Sequence, residues 1–111
     1  MSETISYGDF QKLDLRVAKI LQAEEIPGKD RLLKLSVDIG TEQRTIVAGI
    51  KPWYSPAELI GKSIVIVANL EPKTLAGIQS HGMLLAAGEH GAETISLLVL
   101  DRELPAGTIV Q

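Results

Sequence analysis

Cysteine is absent from this chain of 111 residues, and no apolar run approaches the length of a membrane-spanning helix. Without cysteine there is no disulfide framework, no thiolate zinc site and no cysteine nucleophile. The first ten residues, MSETISYGDF, also lack the basic and apolar segments of a signal peptide. We therefore expect a soluble, cytoplasmic protein with no membrane partner.

Aromatic side chains are scarce, because the chain holds only Tyr7, Phe10, Trp53 and Tyr54. Trp53 and Tyr54 could stack on nucleobases, or they could pack in the core or in an interface. A small barrel needs some of its aromatic residues for packing, so their scarcity counts against unspecific binding of single strands. A folded RNA recognised by its shape and its phosphates suits the composition better.

Charge is also limited, since the net charge is −3. This value argues against a protein that binds nucleic acid through bulk positive charge. Residues 12 to 73 nevertheless hold ten of the eleven Lys and Arg residues, while both flanks are acidic. An anion-binding surface is therefore expected in the middle of the chain.

The hydrophobic content of 45% is ample for one core, and we expect residues 1–111 to form one domain. Alternating apolar residues predict two long strands, each buried on one face. The predicted buried faces consist of Leu13, Leu15, Val17, Leu21 and Ala23 in the first strand, and of Leu33, Leu35, Val37 and Ile39 in the second.

Further elements follow from local patterns. RTIVAG predicts a third strand, and Asp9 could cap a short helical turn before the first one. YSPAELIGKS predicts a short helix with Ser55 as N-cap, Pro56 at its first position, Glu58 three residues after the cap and Gly61 at its end. The apolar run SIVIVANL predicts a strand buried on both faces, and MLLAAG and ISLLVL predict short strands around the turn EHGAE. The tail predicts one last strand, and this order matches an all-β OB-fold, a five-stranded Greek-key barrel with one short helix between strands 3 and 4 and additional terminal elements.

The sequence gives little support for a catalytic site or a metal site. His81 and His90 lie nine residues apart without cysteine or regularly spaced acids, and neighbouring Ser80 and His81 would point to opposite sides of an extended chain. GIQSHG lacks the lysine of a phosphate-binding loop. We expect no catalytic residue, no metal and no cofactor, and thus no enzyme.

The basic residues allow two interpretations. Arg31 and Lys34 could form a rim around a loop, and Lys51 and Lys73 each lie beside a proline that can hold a cation in place. All four could equally be solvated charges at turns.

The sequence resembles a known family. DFQKLDLRVAKI, RLLKLSVDIG, TIVAGI, YSPAELIGKSIVIVANLEP and SHGMLLAAG occur in the order found in the tRNA-binding domain of methionyl-tRNA synthetase C-termini, free-standing structure-specific tRNA-binding proteins and cytokine-like synthetase cofactors. The resemblance runs from about Asp9 to Ile109, and its most specific parts are VANL.P and S.GM.LAA. It implies an OB-fold, a homodimer and binding to the outside of the L-shaped tRNA without strong dependence on tRNA identity.

The resemblance also implies the site. The residues that would border the tRNA are Arg31, Asn69, Lys73, Ser80 and Met83, with Gly82 shaping the loop and Lys34 and Lys51 as secondary candidates. Many relatives carry arginine in the segment TLAGIQS, where this chain has Ala76. Fewer phosphate contacts predict a modest affinity that falls with salt.

The leading hypothesis is a non-catalytic, homodimeric tRNA-binding protein that acts alone or as an accessory or beta subunit beside a methionyl-tRNA synthetase. The alternative is a module that binds extended peptides, resembling the export-related chaperone branch of the same family. That branch usually departs from the S.GM pattern, which this chain keeps.

Overall fold

Short antiparallel strands make up most of the regular structure. The computed structural model describes residues 3–89, 91 and 93–111, so His90 lies outside the described residues. The elements, in chain order, are α1 Tyr7–Phe10, β1 Leu15–Glu25, β2 Leu33–Asp38, β3 Gln43–Ala48, α2 Pro56–Leu59, β4 Ser63–Val67, β5 Lys73–Leu75, β6 Ile78–Ser80, β7 Met83–Leu84, β8 Ala86–Ala87, β9 Ser96–Leu97 and β10 Ile109–Val110.

The main sheet curls around a long central strand. Its order is β3-β2-β1-β4-β7, and all its pairings are antiparallel. The first half of β1 pairs with β4 and β10, whereas its second half pairs with β2. A register shift between Ile20 and Gln22 marks a bulge, and bulges bend strands and increase their twist. This curled sheet, with α2 between β3 and β4, confirms the predicted all-β OB-fold.

The strand β4 is buried on both of its faces, as predicted. Ile64 and Ile66 belong to the large core cluster inside the barrel. Val65 and Val67 point the other way and form a smaller cluster with Leu15 beneath the C-terminal segment. Because the C-terminal segment covers the outer face of β4, neither face of this strand is polar.

The predicted buried face of β1 is only partly correct. Leu15 and Val17 are buried, but Ala18 and Ile20 are completely buried as well, and Leu13 is 45% exposed and precedes the strand. Before the bulge the strand is buried on both faces, because Ala18 and Ile20 lie in the large core cluster and Leu15 lies in the smaller one. After the bulge Ala23 packs against the large cluster, because one extra residue shifts a period of two by one position. In β2 and the residue after it, which the bulge does not affect, Leu33, Leu35, Val37 and Ile39 are all buried as predicted.

Each of the two helices begins directly after a serine that acts as its N-cap. In α2, the Glu58 carboxylate accepts a hydrogen bond from the Ser55 backbone N–H at 2.7 Å, Pro56 is the first residue, and Gly61 follows the helix with φ +91°. In α1 the predicted cap was wrong. Ser6 is the N-cap and its Oγ accepts from the N–H of Asp9, which lies inside the helix.

The predicted strand MLLAAG is divided in two. Met83–Leu84 pairs with β4, and Ala86–Ala87 pairs with β9. The break at Leu85 lets its N–H bond to Val65 while its carbonyl accepts from Leu98. The predicted terminal strand is present as β10, paired with the start of β1.

Candidate nucleic-acid interface

A hairpin that the sequence patterns did not reveal stands beside the barrel. The strands β5 and β6 pair with each other through Lys73 and Ser80 at the open end and through Leu75 and Ile78 at the turn. The two turn residues, Ala76 and Gly77, have φ values of 53° and 76°. Two positive φ values at these positions are typical of the type I′ turn, which joins strands tightly.

A cavity with a volume of about 540 Å³, here called the first cavity, lies between this hairpin and the barrel. Four of the predicted site residues, Lys73, Ser80, Gly82 and Met83, lie in its wall. The remaining wall is mostly apolar and consists of Val47, Ala48, Gly49, Leu70, Glu71, Leu75 and Leu84. An apolar cavity with a few polar groups is the usual form of a ligand site.

Ser80 joins the hairpin to the barrel. Its side chain is almost fully buried, and its Oγ accepts a hydrogen bond from the Val47 backbone N–H at 2.9 Å. The next residue continues the contact, since the His81 N–H donates to the Thr45 carbonyl at 2.9 Å. The Ser80 oxygen therefore replaces a backbone acceptor at the open edge of β3.

Gly82 shapes the loop in the expected way. Its φ is +113°, and a Cβ at this position would lie 3.3 Å from the Val67 carbonyl oxygen and near Ile46 and Ile66. A side chain would therefore be strained and crowded. Met83 follows with 49% of its surface exposed and a flexible side chain directed at the cavity.

Asn69 lies outside both large cavities. Its Oδ1 accepts from the Asp14 N–H at 2.9 Å, and its Nδ2 donates to the Lys12 carbonyl at 2.7 Å. The amide group thus fixes the segment before β1 to the end of β4. Its predicted contact with RNA stays a prediction.

The second cavity, of about 650 Å³, contains the predicted residue Arg31 and is also lined by Trp53 and Gly49. The Trp53 Nε1 donates to the Glu93 carbonyl at 2.8 Å, which fixes the indole ring. Tyr54 has a packing role, because it contacts the core and its hydroxyl accepts from the Leu97 N–H at 3.0 Å.

The two secondary candidates are engaged in ion pairs. Lys34 lies 3.4 Å from a Glu24 carboxylate oxygen and Lys51 lies 3.0 Å from one of Glu25. Neither lysine lines the first or the second cavity. Their neighbouring carboxylates reduce the positive charge that they offer to a phosphate.

Some cations have no carboxylate partner among the described residues. Across residues 3–89, 91 and 93–111, Arg31 and Lys73 have no carboxylate within ion-pair distance, and Lys29 and Lys62 share this property. Arg31 lines the second cavity and Lys73 lines the first. The structure thus brings one unpaired predicted cation to each cavity.

An arginine that the sequence patterns did not single out, Arg44, lies outside the first cavity and holds the chain just after β4. Arg44 donates to the Ala68 carbonyl, and its Nε lies 2.8 Å from a Glu42 oxygen. The hydrogen bond from Arg44, and then its charge, hold the pKa of Glu42 below the usual value, with a smaller contribution from His81. The pair therefore favours the folded state at neutral pH, and this contribution is lost as the pH falls through the lowered pKa. Arg44 thereby anchors the chain where β4 leads into the cavity wall.

Among residues 3–89, 91 and 93–111 no group of His, Asp and Glu side chains has the arrangement of a metal site. No helix in these ranges has the length and apolar character needed to span a bilayer.

Residues 15–109 match the family model described as "Putative tRNA binding domain". The chain belongs to this family. It is 53% identical over 108 residues to a methionine-tRNA ligase of Methanococcus aeolicus, and 53% identical over 106 residues to one of Thermotoga maritima. These matches cover 97% and 96% of the chain but only 16% of each ligase.

Solved structures of the family resemble the chain over its whole length. A MetRS-related protein from Pyrococcus horikoshii has a TM-score of 0.92 and 37% identity, covering 99% of this chain and all of that one. The chaperone CsaA from Bacillus anthracis has a TM-score of 0.88 and 35% identity, covering 98% and 100%. Family membership and the OB-fold thus agree with the resemblance in the motifs.

Proposed function

We propose that residues 1–111 form a single non-catalytic domain that binds tRNA. The observation that carries the proposal is the pairing of two adjoining cavities with two unpaired cations, Arg31 and Lys73, in a member of a tRNA-binding family. The cations would contact phosphates, and Ser80, Gly82 and Met83 would border a base or sugar. Asn69, Lys34 and Lys51 are proposed as peripheral contacts.

We further propose a cytoplasmic role beside a methionyl-tRNA synthetase, as an accessory or beta subunit. High identity to a part of methionine-tRNA ligases supports this assignment. A domain that raises the local concentration of tRNA near a synthetase increases capture without doing chemistry itself.

The homodimer is also a proposal. Apolar side chains of both terminal segments are exposed, among them Ile5 at 67%, Tyr7 at 72% and Ile109 at 63%. Exposed apolar surface of this kind marks an interaction site in many soluble proteins. A second copy of the chain would cover it and would place two RNA-binding faces on one particle.

Three charge variants test the tRNA proposal. Arg31→Gln and Lys73→Gln should each weaken filter binding of total tRNA several-fold and lower the salt slope by about 1, because each removes one phosphate contact. Lys62→Gln is the matched control, since Lys62 lacks an ion pair among the described residues and lines neither cavity. Equal effects of all three variants would contradict a localised site.

Peptide binding is the second candidate function. It is supported by the likeness to the CsaA chaperone and by the apolar wall of the first cavity. Titration of extended apolar peptides against wild type and Met83→Glu separates the candidates. Peptide binding that is lost in the variant while tRNA binding is unchanged would favour the chaperone function.

A further inference from the structure

The two large cavities adjoin, because Gly49 lies in the wall of both. We propose that they form one groove for unpaired nucleotides, in which one base stacks on Trp53 beside Arg31 and the next occupies the cavity at Met83. This inference rests on the proposed tRNA binding and specifies its ligand as a single-stranded part of the RNA. It differs from recognition of a folded RNA by its shape and phosphates alone, which the composition favoured.

Trp53 is prepared for stacking. The hydrogen bond from its Nε1 to the Glu93 carbonyl fixes the ring, so binding a base costs little side-chain entropy. The ring is only partly buried and lines the second cavity. An aromatic face held in this way is the usual platform for an unpaired base, whatever its identity.

Arg31 is held next to this platform. Its carbonyl accepts a hydrogen bond from the Lys51 N–H at 3.3 Å, which ties the loop before β2 to the segment that carries Gly49 and Trp53. The guanidinium has no carboxylate within ion-pair distance among the described residues. Arg31 is therefore available for a phosphate beside a stacked base.

The first cavity suits the neighbouring nucleotide. Leu70, Leu75 and Met83 offer apolar contacts to a base, and Lys73 provides the second unpaired cation. Gly49 lies at the boundary of the two cavities and contributes no side chain there, and a Cβ at this position would meet only the Arg31 carbonyl oxygen, at 3.9 Å. Alternating cations and apolar surfaces along one groove match the alternation of phosphates and bases in a single strand.

Two carboxylates limit the affinity of this groove. Glu71 lies in the wall of the first cavity and Glu89 in the wall of the second. Each repels a phosphate that the neighbouring cation attracts. The groove should therefore hold short strands weakly, and Glu89→Gln should tighten binding a few-fold.

The chain provides its own reporter, since Trp53 is its single tryptophan. A short oligouridylate, an RNA duplex of similar charge, total tRNA and an extended apolar peptide are each titrated while Trp53 emission and its quenching by acrylamide are recorded. Filter binding of tRNA is measured separately. We expect oligouridylate and tRNA to quench Trp53 and to protect it from acrylamide, and the duplex to do neither.

Variants locate the ligand in the groove. Gly49→Leu should reduce oligouridylate affinity about tenfold by filling the boundary between the cavities, while Gly49→Ala, whose methyl group would make only an ordinary contact with the Arg31 carbonyl, should change it little. Trp53→Leu should reduce affinity about tenfold in an assay with labelled RNA, and Trp53→Phe should retain most of it because stacking is preserved. Thermal unfolding of each variant shows whether the fold is intact.

The outcomes separate this inference from the proposed function. If tRNA is retained on filters while Trp53 emission and protection do not change, the groove is wrong and tRNA binding stands. If oligouridylate quenches Trp53 but tRNA is not retained, the groove stands and the proposed function fails. Equal quenching by the duplex, or quenching by the peptide alone, overturns the assignment to unpaired nucleotides.

Discussion

At the scale of single residues, one hydroxyl group combines two tasks. The Ser80 oxygen lies in the wall of the first cavity and also accepts from the backbone N–H of Val47, which is itself buried. A buried amide without a partner is costly, so the acceptor matters even without a ligand. Effects of Ser80 variants on binding must therefore be interpreted together with their effects on stability.

We predict that Ser80→Ala lowers the free energy of unfolding by about 2 kcal/mol, because the Val47 N–H loses its acceptor. Thermal denaturation followed by circular dichroism measures the change. Ser96→Ala is the matched control, since the exposed Ser96 hydroxyl donates only a 3.5 Å bond to the adjacent residue. Equal melting temperatures for the two variants would show that the Ser80 bond contributes nothing to stability.

At the scale of elements, the hairpin of β5 and β6 is the least regular part of the site. Its turn uses Ala76 at φ 53°, where asparagine or glycine is usual, and a residue with a Cβ costs about 1 kcal/mol or more in this region. The hairpin thus accepts a local strain next to the cavity that it covers.

We predict that Ala76→Asn raises the melting temperature by a few degrees, because asparagine adopts positive φ more readily than alanine. Ala76→Val should lower it, since a β-branched side chain is poorly tolerated there. Differential scanning calorimetry of the pair tests the sign. A stabilising valine would rule out the type I′ turn in solution.

The elements also show what could be predicted from the sequence. Strands β2 and β4 were predicted correctly, because their apolar patterns are uninterrupted and their burial follows from the pattern alone. The inward face of β1 was not, since the first half of this strand is buried on both faces, with Ala18 and Ile20 in the large core cluster and Leu15 in the smaller one, and the bulge after Ile20 leaves no mark in the sequence. The hairpin was missed because Ala76 occupies a turn position where asparagine, aspartate or glycine is usual, so that Gly77 alone did not indicate a turn.

For the candidate site, the sequence could predict which residues lie together only where they are close along the chain. Lys73, Ser80, Gly82 and Met83 were brought together as expected, since they are close in sequence. The bonds of Asn69 to Lys12 and Asp14 span more than fifty positions, and such contacts cannot be read from local patterns.

At the scale of the whole molecule, the net charge of −3 sets the character of any RNA complex. Among residues 3–89, 91 and 93–111 most cations are paired with carboxylates, and few unpaired ones remain to displace counterions from RNA. Binding must then depend on contacts to bases and sugars as much as on charge.

We predict that the logarithm of the tRNA binding constant falls with the logarithm of salt concentration with a slope of only about −2, because in the proposed complex Arg31 and Lys73 would together contact roughly two phosphates. Filter binding at several salt concentrations measures the slope. A constant affinity from low to high salt would refute phosphate contacts altogether. A slope several times steeper would require cations beyond the two cavities.

We also predict a dimer in solution that is disrupted by Tyr7→Glu combined with Ile109→Glu, because charge on these exposed apolar positions opposes their burial between copies. Light scattering at micromolar concentration measures the mass. Ile60→Glu is the control, since Ile60 is 54% exposed just after α2. A monomeric wild type would contradict the proposed dimer directly.

The buried bond at Ser80 has a consequence for protein engineering and for evolution. Selection for a new ligand and selection for a folded barrel act on the same atom at this position, whereas Lys73, Leu75 and Met83 can change with less risk to the fold. A library that varies these three positions and keeps Ser80 and Gly82 should therefore yield many folded proteins with altered preferences. Ligand specificity can therefore diverge while Ser80 is kept, as long as its hydroxyl continues to bind the Val47 N–H and to join the hairpin to β3.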